Sequence, residues 1–439
     1  MPEDSPYLTV VATSRNDDHG GNLLGRMQTF VDGFAEQCRR HDLAAELVLV
    51  EWNPLPDRPP LAEALRWPRE GGPFSIRIIQ VPPELHARLA NADRLPLFQM
   101  VAKNVGIRRA RGDFVLATNI DILFSDALVR FMRDRLRRGN LYRVDRYDVP
   151  ADIPAAAPFA EVLGFCERAA FRINRRDGVY MVKERKLYPI HQSPAGFIRA
   201  WAEAALRAFL GRCLEAVKCG LALVKRDMTA VKRGLRTGAW RTPRRRRTAR
   251  HGPRRFIATF IAAARRTLRN RVESFVAFAA ALRRLLEIPR LHTNACGDFT
   301  LMARDHWAEL RGYPEWQIFS WHLDSVLVHQ AYGNGLRIVE LGDPMRAYHI
   351  EHGVGSGWTM EGEETLFARC ERAGIPYLKH DDFTRIAKEI RVNAKAKRPT
   401  TFNGADWGFA DEDLLEVVVC ASTASPPRAA HTSSLADGA

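Results

Sequence analysis

The chain lacks the features that would assign it to several large protein classes. Its 439 residues include only seven cysteines, an odd number with no CxxC pair, which argues against a disulfide framework or a zinc knuckle and favours a reducing compartment. No run approaches the ~18 apolar residues that a membrane-spanning helix needs. The opening "MPEDSP" is acidic and polar, so we expect no secretory signal. Together these absences predict a cytoplasmic protein.

An even distribution of charge is also missing. The formal net charge is +15, yet residues 191–290 alone hold 24 Lys and Arg against five acidic residues, a local net charge of +19. The rest of the chain therefore carries a net charge of −4. Because the basicity belongs to one segment, the high isoelectric point of the whole chain is not evidence for nucleic-acid binding.

Residues 7–150 alternate between strand-like and helical patterns. The apolar runs "YLTVVAT", "AELVLVE", "FSIRIIQV" and "DFVLATN" have the length and β-rich composition of strands, and helical stretches at 25–41 and 97–110 lie between them. This order predicts an α/β fold, a mostly parallel sheet with helices on both faces. In such sheets ligands bind beyond the carboxyl ends of the strands.

The remaining chain divides by composition. Residues 190–290 repeat apolar side chains at spacings of three and four between Arg and Lys, which predicts a basic amphipathic helical insertion. Residues 291–416 return to a mixed α/β pattern. The small and polar residues 421–439 predict a disordered tail.

Two polar side chains close the fourth strand-like run, in "VLATNIDILFSD". Side chains in a strand alternate between faces, so Asn119 and Asp121 are predicted to point to the same side. A carboxylate at this place suits a hard divalent cation. The alternative is a strand-end turn or a helix cap, a role for which Asp126 is better placed.

The order of these motifs resembles the GT-A fold nucleotide-sugar glycosyltransferases, in particular family 2. The resemblance covers about 120 residues and is carried by "VVATSRNDDHGGN", "LVLVEWNP", "FQMVAKNVGIRRARGDF" and "LATNID", the last at the position of the family's Asp-x-Asp motif. In the second half "ACGDFTLMARDHWAELRGYPE" and "FSWHLDSV" resemble the acceptor region. One departure is Asn119, which stands where the family has its first Asp.

The resemblance implies a set of site residues for a nucleotide-sugar donor, with a UDP-sugar favoured. The base and ribose would be framed by Thr13, Arg15, Asn16 and Glu51, a phosphate would meet Lys103 or Arg94, and Asn119 would contact the ribose or the sugar. The cofactor would be Mn²⁺ or Mg²⁺, held by Asp121 with His349 and His352 from "MRAYHIEHGVGSGW", whose glycine-rich end suits a mobile lid.

A general base is the remaining requirement of an inverting transfer. Asp324 occupies the position where inverting members of the family keep that base, and Glu315 is the second candidate. The alternative for Asp324 is an acid that only stabilises a helix N-terminus.

These observations predict a metal-dependent, inverting, hexosyltransferase-like enzyme that moves a sugar from a nucleotide-sugar donor to a cell-surface glycan or a lipid-linked acceptor. The basic insertion would bind an anionic membrane at the inner face of the cell membrane, which makes the protein peripheral. Nucleic acid is not the expected partner, because aromatic residues are not interleaved with the arginines.

Two other functions stay open. One is a GT-A scaffold with weakened catalysis, associated with membrane or RNA through the insertion, which the departure at Asn119 favours. The other is a nucleotidyltransferase, which the two acids of "SRNDDHGGN" oppose because they would lie beside a triphosphate.

Overall fold

The computed structural model describes residues 5–189, 202, 273–276, 279, 288–352 and 363–423. The chain divides into two compact units, Met1–Ile190 with Arg290–Ala439, and His191–Pro289. The second unit corresponds to the predicted basic insertion and lies almost wholly outside the described residues, as do the segment 353–362 and nearly all of the predicted disordered tail. Those expectations stay predictions. None of the described helices is long and apolar enough to cross a membrane.

Fourteen strands are found in the described residues, arranged in two sheets. In chain order they are β1 (Leu8–Ser14), β2 (Ala45–Trp52), β3 (Phe74–Val81), β4 (Phe114–Ala117), β5 (Ile122–Phe124), β6 (Asn140–Val144), β7 (Arg146–Val149), β8 (Arg172–Arg175), β9 (Gly178–Met181), β10 (Lys186–Pro189), β11 (Thr300–Ala303), β12 (Arg337–Leu341), β13 (Ala347–Ile350) and β14 (Glu416–Cys420).

The larger sheet has the strand order β12-β6-β11-β4-β1-β2-β3-β14. Its centre, β4-β1-β2-β3, is parallel throughout, whereas β11 and β14 run antiparallel to their neighbours. The four strands predicted from the apolar runs are these four central ones. The prediction of an α/β fold with a mostly parallel sheet is therefore confirmed.

Ten α-helices are described. They are α1 (Leu23–His41), α2 (Leu61–Ala64), α3 (Pro83–His86), α4 (Gln99–Arg108), α5 (Asp126–Asp134), α6 (Phe159–Ala169), α7 (Arg304–Leu310), α8 (Leu323–Gly333), α9 (Glu363–Arg372) and α10 (His380–Lys395), with a 3₁₀ turn at Cys296–Asp298.

The core forms on both faces of the large sheet, as the alternation within a strand requires. On β1, Val10 packs into the cluster that contains Met27 of α1, whereas its neighbour Val11 packs into the cluster that contains Val105 of α4. The helices therefore cover both faces, which leaves the carboxyl edge of the parallel strands as the place where loops gather.

The polar triplet is not part of a strand, contrary to the alternation argument. β4 ends at Ala117, and residues 118–121 form a turn before β5. The proposed cap was also wrong, because the hydroxyl of Ser125 accepts the amide of Leu128 at 3.2 Å and caps α5. Asp126 instead accepts hydrogen bonds from α1, including one from Arg40 at 2.8 Å.

The smaller sheet, β10-β9-β8-β7-β13-β5, brings distant parts of the sequence to this turn. β13 pairs antiparallel with β5, so that His349 lies opposite Ile122, the residue after Asp121. β13 also pairs in parallel with β7, which sets His349 beside Asp148. The second sheet therefore positions the candidate site.

Candidate functional site

Three side chains converge at the turn between β4 and β5. Asp121 Oδ2 lies 3.3 Å from His352 Nε2 and 3.8 Å from His349 Nε2. One ligand atom from each of the three residues lies within 4.8 Å of the others. The structure thus brings together the three residues that the sequence predicted as metal ligands.

The chemistry of this group fits a divalent cation. Asp121 Oδ1 is buried and has no hydrogen-bond partner among the described residues. The Nδ1 atom of His349 lies 2.9 Å from Asp148 Oδ1, an outer carboxylate contact that fixes the ring and leaves Nε2 facing Asp121. One carboxylate oxygen and two imidazole nitrogens suit Mn²⁺.

The electrostatics favour an ionised Asp121. Burial disfavours its charge, but His349, His352 and Arg26 together hold the pKa of Asp121 below its usual range. Burial and Arg146 lower the pKa of His349, and Asp121 and Asp148 outweigh them, so that it lies above the ordinary value. Asp121 is therefore expected to be a carboxylate in the folded protein.

A second group, in which two acidic residues surround His349, is less suited to bind a metal ion. Asp148, His349 and Glu351 also lie within 4.8 Å of one another. However, Arg146 Nε lies 2.8 Å from Asp148 Oδ1, and Arg172 pairs with both Asp148 and Glu351. These carboxylates are already neutralised, so they support the first group instead of forming another.

Asn119 joins a polar network. Its Oδ1 accepts a hydrogen bond from Gln99 Nε2 at 2.9 Å, and its Nδ2 donates to Asp298 Oδ1. Asp298 Oδ2 in turn accepts from Arg146 Nη1 at 2.6 Å. An amide at position 119 therefore satisfies a carboxylate, which a second Asp could not do.

The candidate base Asp324 lies in the first turn of α8. Its Oδ2 accepts the amide of Gly297 at 2.7 Å, and the carbonyl of the same Gly297 accepts Lys103 Nζ at 2.6 Å. Burial raises the pKa of Asp324 above its usual range, although Arg143 and Lys103 act in the opposite direction. The backbone of one residue, Gly297, thus connects the acid to a lysine.

Lys103 itself is fully buried. Burial lowers its pKa to about 8, with Asp298, Asp324 and Asp121 opposing the shift. The structure therefore places its ammonium inside the protein, on Gly297 and among three acids, and not at a surface where a phosphate would arrive. The other phosphate candidate, Arg94, donates to Gly374 O at 2.8 Å on the exterior.

A cleft of about 430 Å³ opens beyond the carboxyl ends of β1, β2 and β3. Its walls include Arg15, Asn53, Leu55, Arg58, Gln80 and Pro83. The Nε atom of Arg15 donates to the carbonyl of Asn53 at 2.8 Å, which fixes the guanidinium on this wall. The cleft lies at the same edge of the sheet as the turn that carries Asp121.

The other side chains predicted to contact the nucleoside are hydrogen-bonded to groups of the protein near this cleft. Thr13 donates to Val50 O at 3.1 Å and Asn16 donates to Pro59 O at 2.9 Å. Glu51 is fully buried, and its two oxygens accept from the Leu61 amide and from Gln80 Nε2, each at 2.8 Å. These side chains hold the loops in place, and only Arg15 of the four lines the cleft.

The second base candidate, Glu315, is engaged in the interior. Its Oε1 accepts Asn104 Nδ2 at 2.9 Å and the amide of Gly408 at 2.8 Å. Glu315 therefore holds the chain at Gly408 in place, and Asp324 is the better candidate for the general base.

Three residues of the site were missed by the sequence analysis: Arg26, Asp148 and Asp298. Arg26 is 5% exposed, and its Nε lies 3.7 Å from Asp121 Oδ2. A signal for it exists, because an arginine at this position interrupts the apolar face of α1 between Leu23 and Phe30. Asp148 and Asp298 are brought to the site by pairing between strands that lie more than 100 residues apart in the chain. The sequence holds no comparable signal for their place in the site.

Comparisons with known proteins give only distant similarity. No family model matches the chain, and no curated protein is similar to it. Two similar solved structures are the mannosyltransferase PcManGT from Pyrobaculum calidifontis in complex with GDP-Man and Mn²⁺, at 12% identity and a TM-score of 0.33, and GalNAc-T7 with UDP, GalNAc and Mn²⁺, at 10% identity and a TM-score of 0.34. The matches cover 92% and 91% of this chain, and 72% and 59% of those chains.

Proposed function

We propose that the protein is a metal-dependent glycosyltransferase that uses a nucleotide-sugar donor. The observation that carries this proposal is the group Asp121, His349 and His352. Oδ2 of the carboxylate lies near both imidazoles, and Oδ1 is buried without a hydrogen-bond partner among the described residues. The group lies at the carboxyl edge of a parallel sheet, next to strands whose ends form a cleft. A nucleoside in that cleft would direct its diphosphate toward Asp121.

The chain's own residues would divide the chemistry as follows. Asp121, His349 and His352 would hold Mn²⁺ or Mg²⁺, which when bound stabilises the negative charge on the departing nucleoside diphosphate. Arg15 would bind the nucleoside on the cleft wall. Asp298, through Asn119 and Arg146, keeps the turn that carries Asp121 in place.

Asp324 would be the general base of an inverting transfer. The acceptor hydroxyl oxygen attacks the anomeric carbon, its proton passes to Asp324, and the bond from that carbon to the diphosphate oxygen breaks. A carboxylate with a raised pKa is a better proton acceptor than an ordinary aspartate, which supports this role. We propose a hexosyl donor, with UDP as the favoured nucleotide, and a glycan or lipid-linked acceptor.

We propose that the basic insertion attaches the protein to a membrane. The local net charge of +19 in residues 191–290, with apolar side chains at helical spacing, supports attachment to an anionic membrane at the inner face of the cell membrane. A lipid-linked acceptor would be presented at that surface.

A hydrolysis and binding screen tests the enzyme proposal. Purified protein with Mn²⁺ is incubated with UDP-, GDP- and dTDP-sugars, and release of the nucleoside diphosphate is followed together with calorimetric binding. We expect turnover of at least one donor, loss of binding in Asp121→Asn, and retained binding with a rate reduced ~100-fold in Asp324→Asn. Binding without turnover in the unmodified protein would favour the weakened scaffold, and no binding of any donor would contradict the proposal.

A further inference from the structure

Arg26 places a positive charge inside the candidate metal site. Its Nε lies 3.7 Å from Asp121 Oδ2, the oxygen that also faces both histidines. This Nε is buried and has no hydrogen-bond partner among the described residues. A guanidinium in this position competes with a divalent cation for the same carboxylate.

The guanidinium is held beside Asp121, because its other two nitrogens donate hydrogen bonds to backbone carbonyls. Nη2 donates to His19 O at 2.7 Å, and Nη1 donates to Gly21 O. Both carbonyls belong to the loop between β1 and α1. Between them lies Gly20, where an added Cβ would be 2.5 Å from His352 Nδ1. Arg26 is therefore fixed to a loop that packs directly on a metal ligand.

The charges of the site sum to a low value. Asp121 and Arg26 cancel, and both imidazoles must be neutral to bind a metal. Around them, three acids (Asp148, Asp298 and Glu351) face two arginines (Arg146 and Arg172), which leaves one net negative charge. A divalent cation alone would leave the site with one net positive charge, whereas a cation together with a diphosphate would leave it no more positive than before.

We propose that Arg26 makes cation binding at Asp121 depend on the diphosphate group of the donor. Without a diphosphate, Arg26 serves as the counter-ion of Asp121 and weakens the affinity for the metal. With a diphosphate bound, its negative charge would offset that of Arg26, and Asp121 would be available to hold the cation together with His349 and His352. This inference rests on the proposed function, since it takes the donor to be a nucleoside diphosphate sugar.

Such coupling is reciprocal and can be measured without turnover. Mn²⁺ binding is followed by the electron paramagnetic resonance of the free ion, with and without UDP or GDP, and corrected for the complex of Mn²⁺ with the nucleotide alone. We expect the nucleotide to tighten Mn²⁺ binding at least about 10-fold in the unmodified protein. In Arg26→Met, Mn²⁺ alone should bind more tightly than in the unmodified protein, and the tightening by nucleotide should fall.

Two further variants keep the test decisive if Arg26→Met does not fold. Arg26→Gln removes the charge but retains a donor for the loop carbonyls, so it should behave as Arg26→Met. Arg26→Lys keeps the charge and should keep weak binding of Mn²⁺ alone.

Three results would overturn the inference. Neutral variants that bind Mn²⁺ no more tightly than the unmodified protein would show that Arg26 does not oppose the metal. Equal Mn²⁺ affinity with and without nucleotide would remove the coupling while leaving the metal site intact. No Mn²⁺ binding under either condition would overturn the proposed function as well.

Discussion

At the scale of single residues, the site depends on polar side chains that are hydrogen-bonded to other side chains of the protein. Asn119 is the clearest example, because it differs from the Asp-x-Asp pattern and yet satisfies both Gln99 and Asp298. The departure leaves unchanged the group formed by Asp121 with the two histidines, which we propose as the metal site. It places an amide where the network requires a donor.

Restoring an acid at this position should therefore destabilise the protein. Asn119→Asp replaces the Nδ2 donor by an oxygen that faces the carboxylate of Asp298, which should lower the free energy of unfolding by about 1–3 kcal/mol. Urea unfolding at neutral pH measures this loss. The double variant Asn119→Asp with Asp298→Asn restores an amide–carboxylate pair and should recover part of it, and an unchanged single variant would contradict the assigned hydrogen bond.

Lys103 should influence the pH dependence of transfer through Asp324. The base must be ionised, so the rate rises as the pH passes through the raised pKa of Asp324. Lys103 lowers that pKa. Lys103→Met, which has a similar shape, should therefore move the acidic limb of kcat/KM to higher pH. As a control, Arg135→Met removes an exposed cation and should leave the acidic limb unchanged. An unchanged limb in Lys103→Met would show that Lys103 does not influence the pKa of the base.

At the scale of elements, the loop between β1 and α1 lies directly against His352 of the candidate metal site. Two consecutive glycines, Gly20 and Gly21, adopt φ values of 74° and 76°, a left-handed conformation that favours glycine. A Cβ on Gly20 would meet His352, whereas a Cβ on Gly21 would meet nothing within 4 Å. A side chain at either position would be strained, but only a side chain at Gly20 would contact His352.

This difference gives a matched pair of variants. Gly20→Ala and Gly21→Ala should each cost roughly 1–2 kcal/mol of stability, because both force alanine into the left-handed region. Only Gly20→Ala should displace the ring of His352 and weaken Mn²⁺ binding in the presence of nucleotide, by ~10-fold or more. Equal Mn²⁺ affinities of the two variants would mean that His352 does not bind the metal.

The elements also show how far the sequence could predict the structure. The central strands were predictable because each is a short apolar run with buried side chains on both faces. The turn at residues 118–121 was not, since alternation in "LATNID" continues past the point where β4 ends. β14 was also missed, because its antiparallel pairing with β3 depends on contacts such as that of Arg77 with Glu416 at 2.7 Å, far apart in sequence.

The site was predictable to the extent that the motifs carry its ligands. Asp121, His349 and His352 were named from the resemblance, and the pairing of β13 with β5 brings them together. The outer groups could not be predicted, since Asp148 supports His349 only through the register between β7 and β13. Predicted contacts such as Glu51 and Lys103 turned out to be buried, because position along a motif does not determine exposure.

At the scale of the whole molecule, the two units suggest separate tasks. One unit, Met1–Ile190 with Arg290–Ala439, contains the candidate metal site, the cleft and Asp324. The excess positive charge lies in the other unit, His191–Pro289. Each Lys or Arg near an anionic membrane contributes roughly 1 kcal/mol of attraction, screened within a Debye length. Attachment and catalysis should therefore be separable.

Deletion of residues 191–289 tests that separation. The full chain should sediment with anionic liposomes, less with neutral ones, and be released by salt. The deletion variant should lose sedimentation and retain Mn²⁺ and nucleotide binding. Equal sedimentation of both proteins would contradict the membrane role, and salt-sensitive preference for RNA over liposomes would favour nucleic acid as the partner.

The central claim is that Asp121, His349 and His352 hold the metal that engages the donor diphosphate. It is tested most directly by anomalous diffraction at the manganese absorption edge, from crystals grown with Mn²⁺ and a bound nucleoside diphosphate. We expect one strong peak in contact with Asp121 and the Nε2 atoms of both histidines, with phosphate oxygens completing its coordination. A peak elsewhere, or a nucleotide bound with no metal between its diphosphate and Asp121, would contradict it.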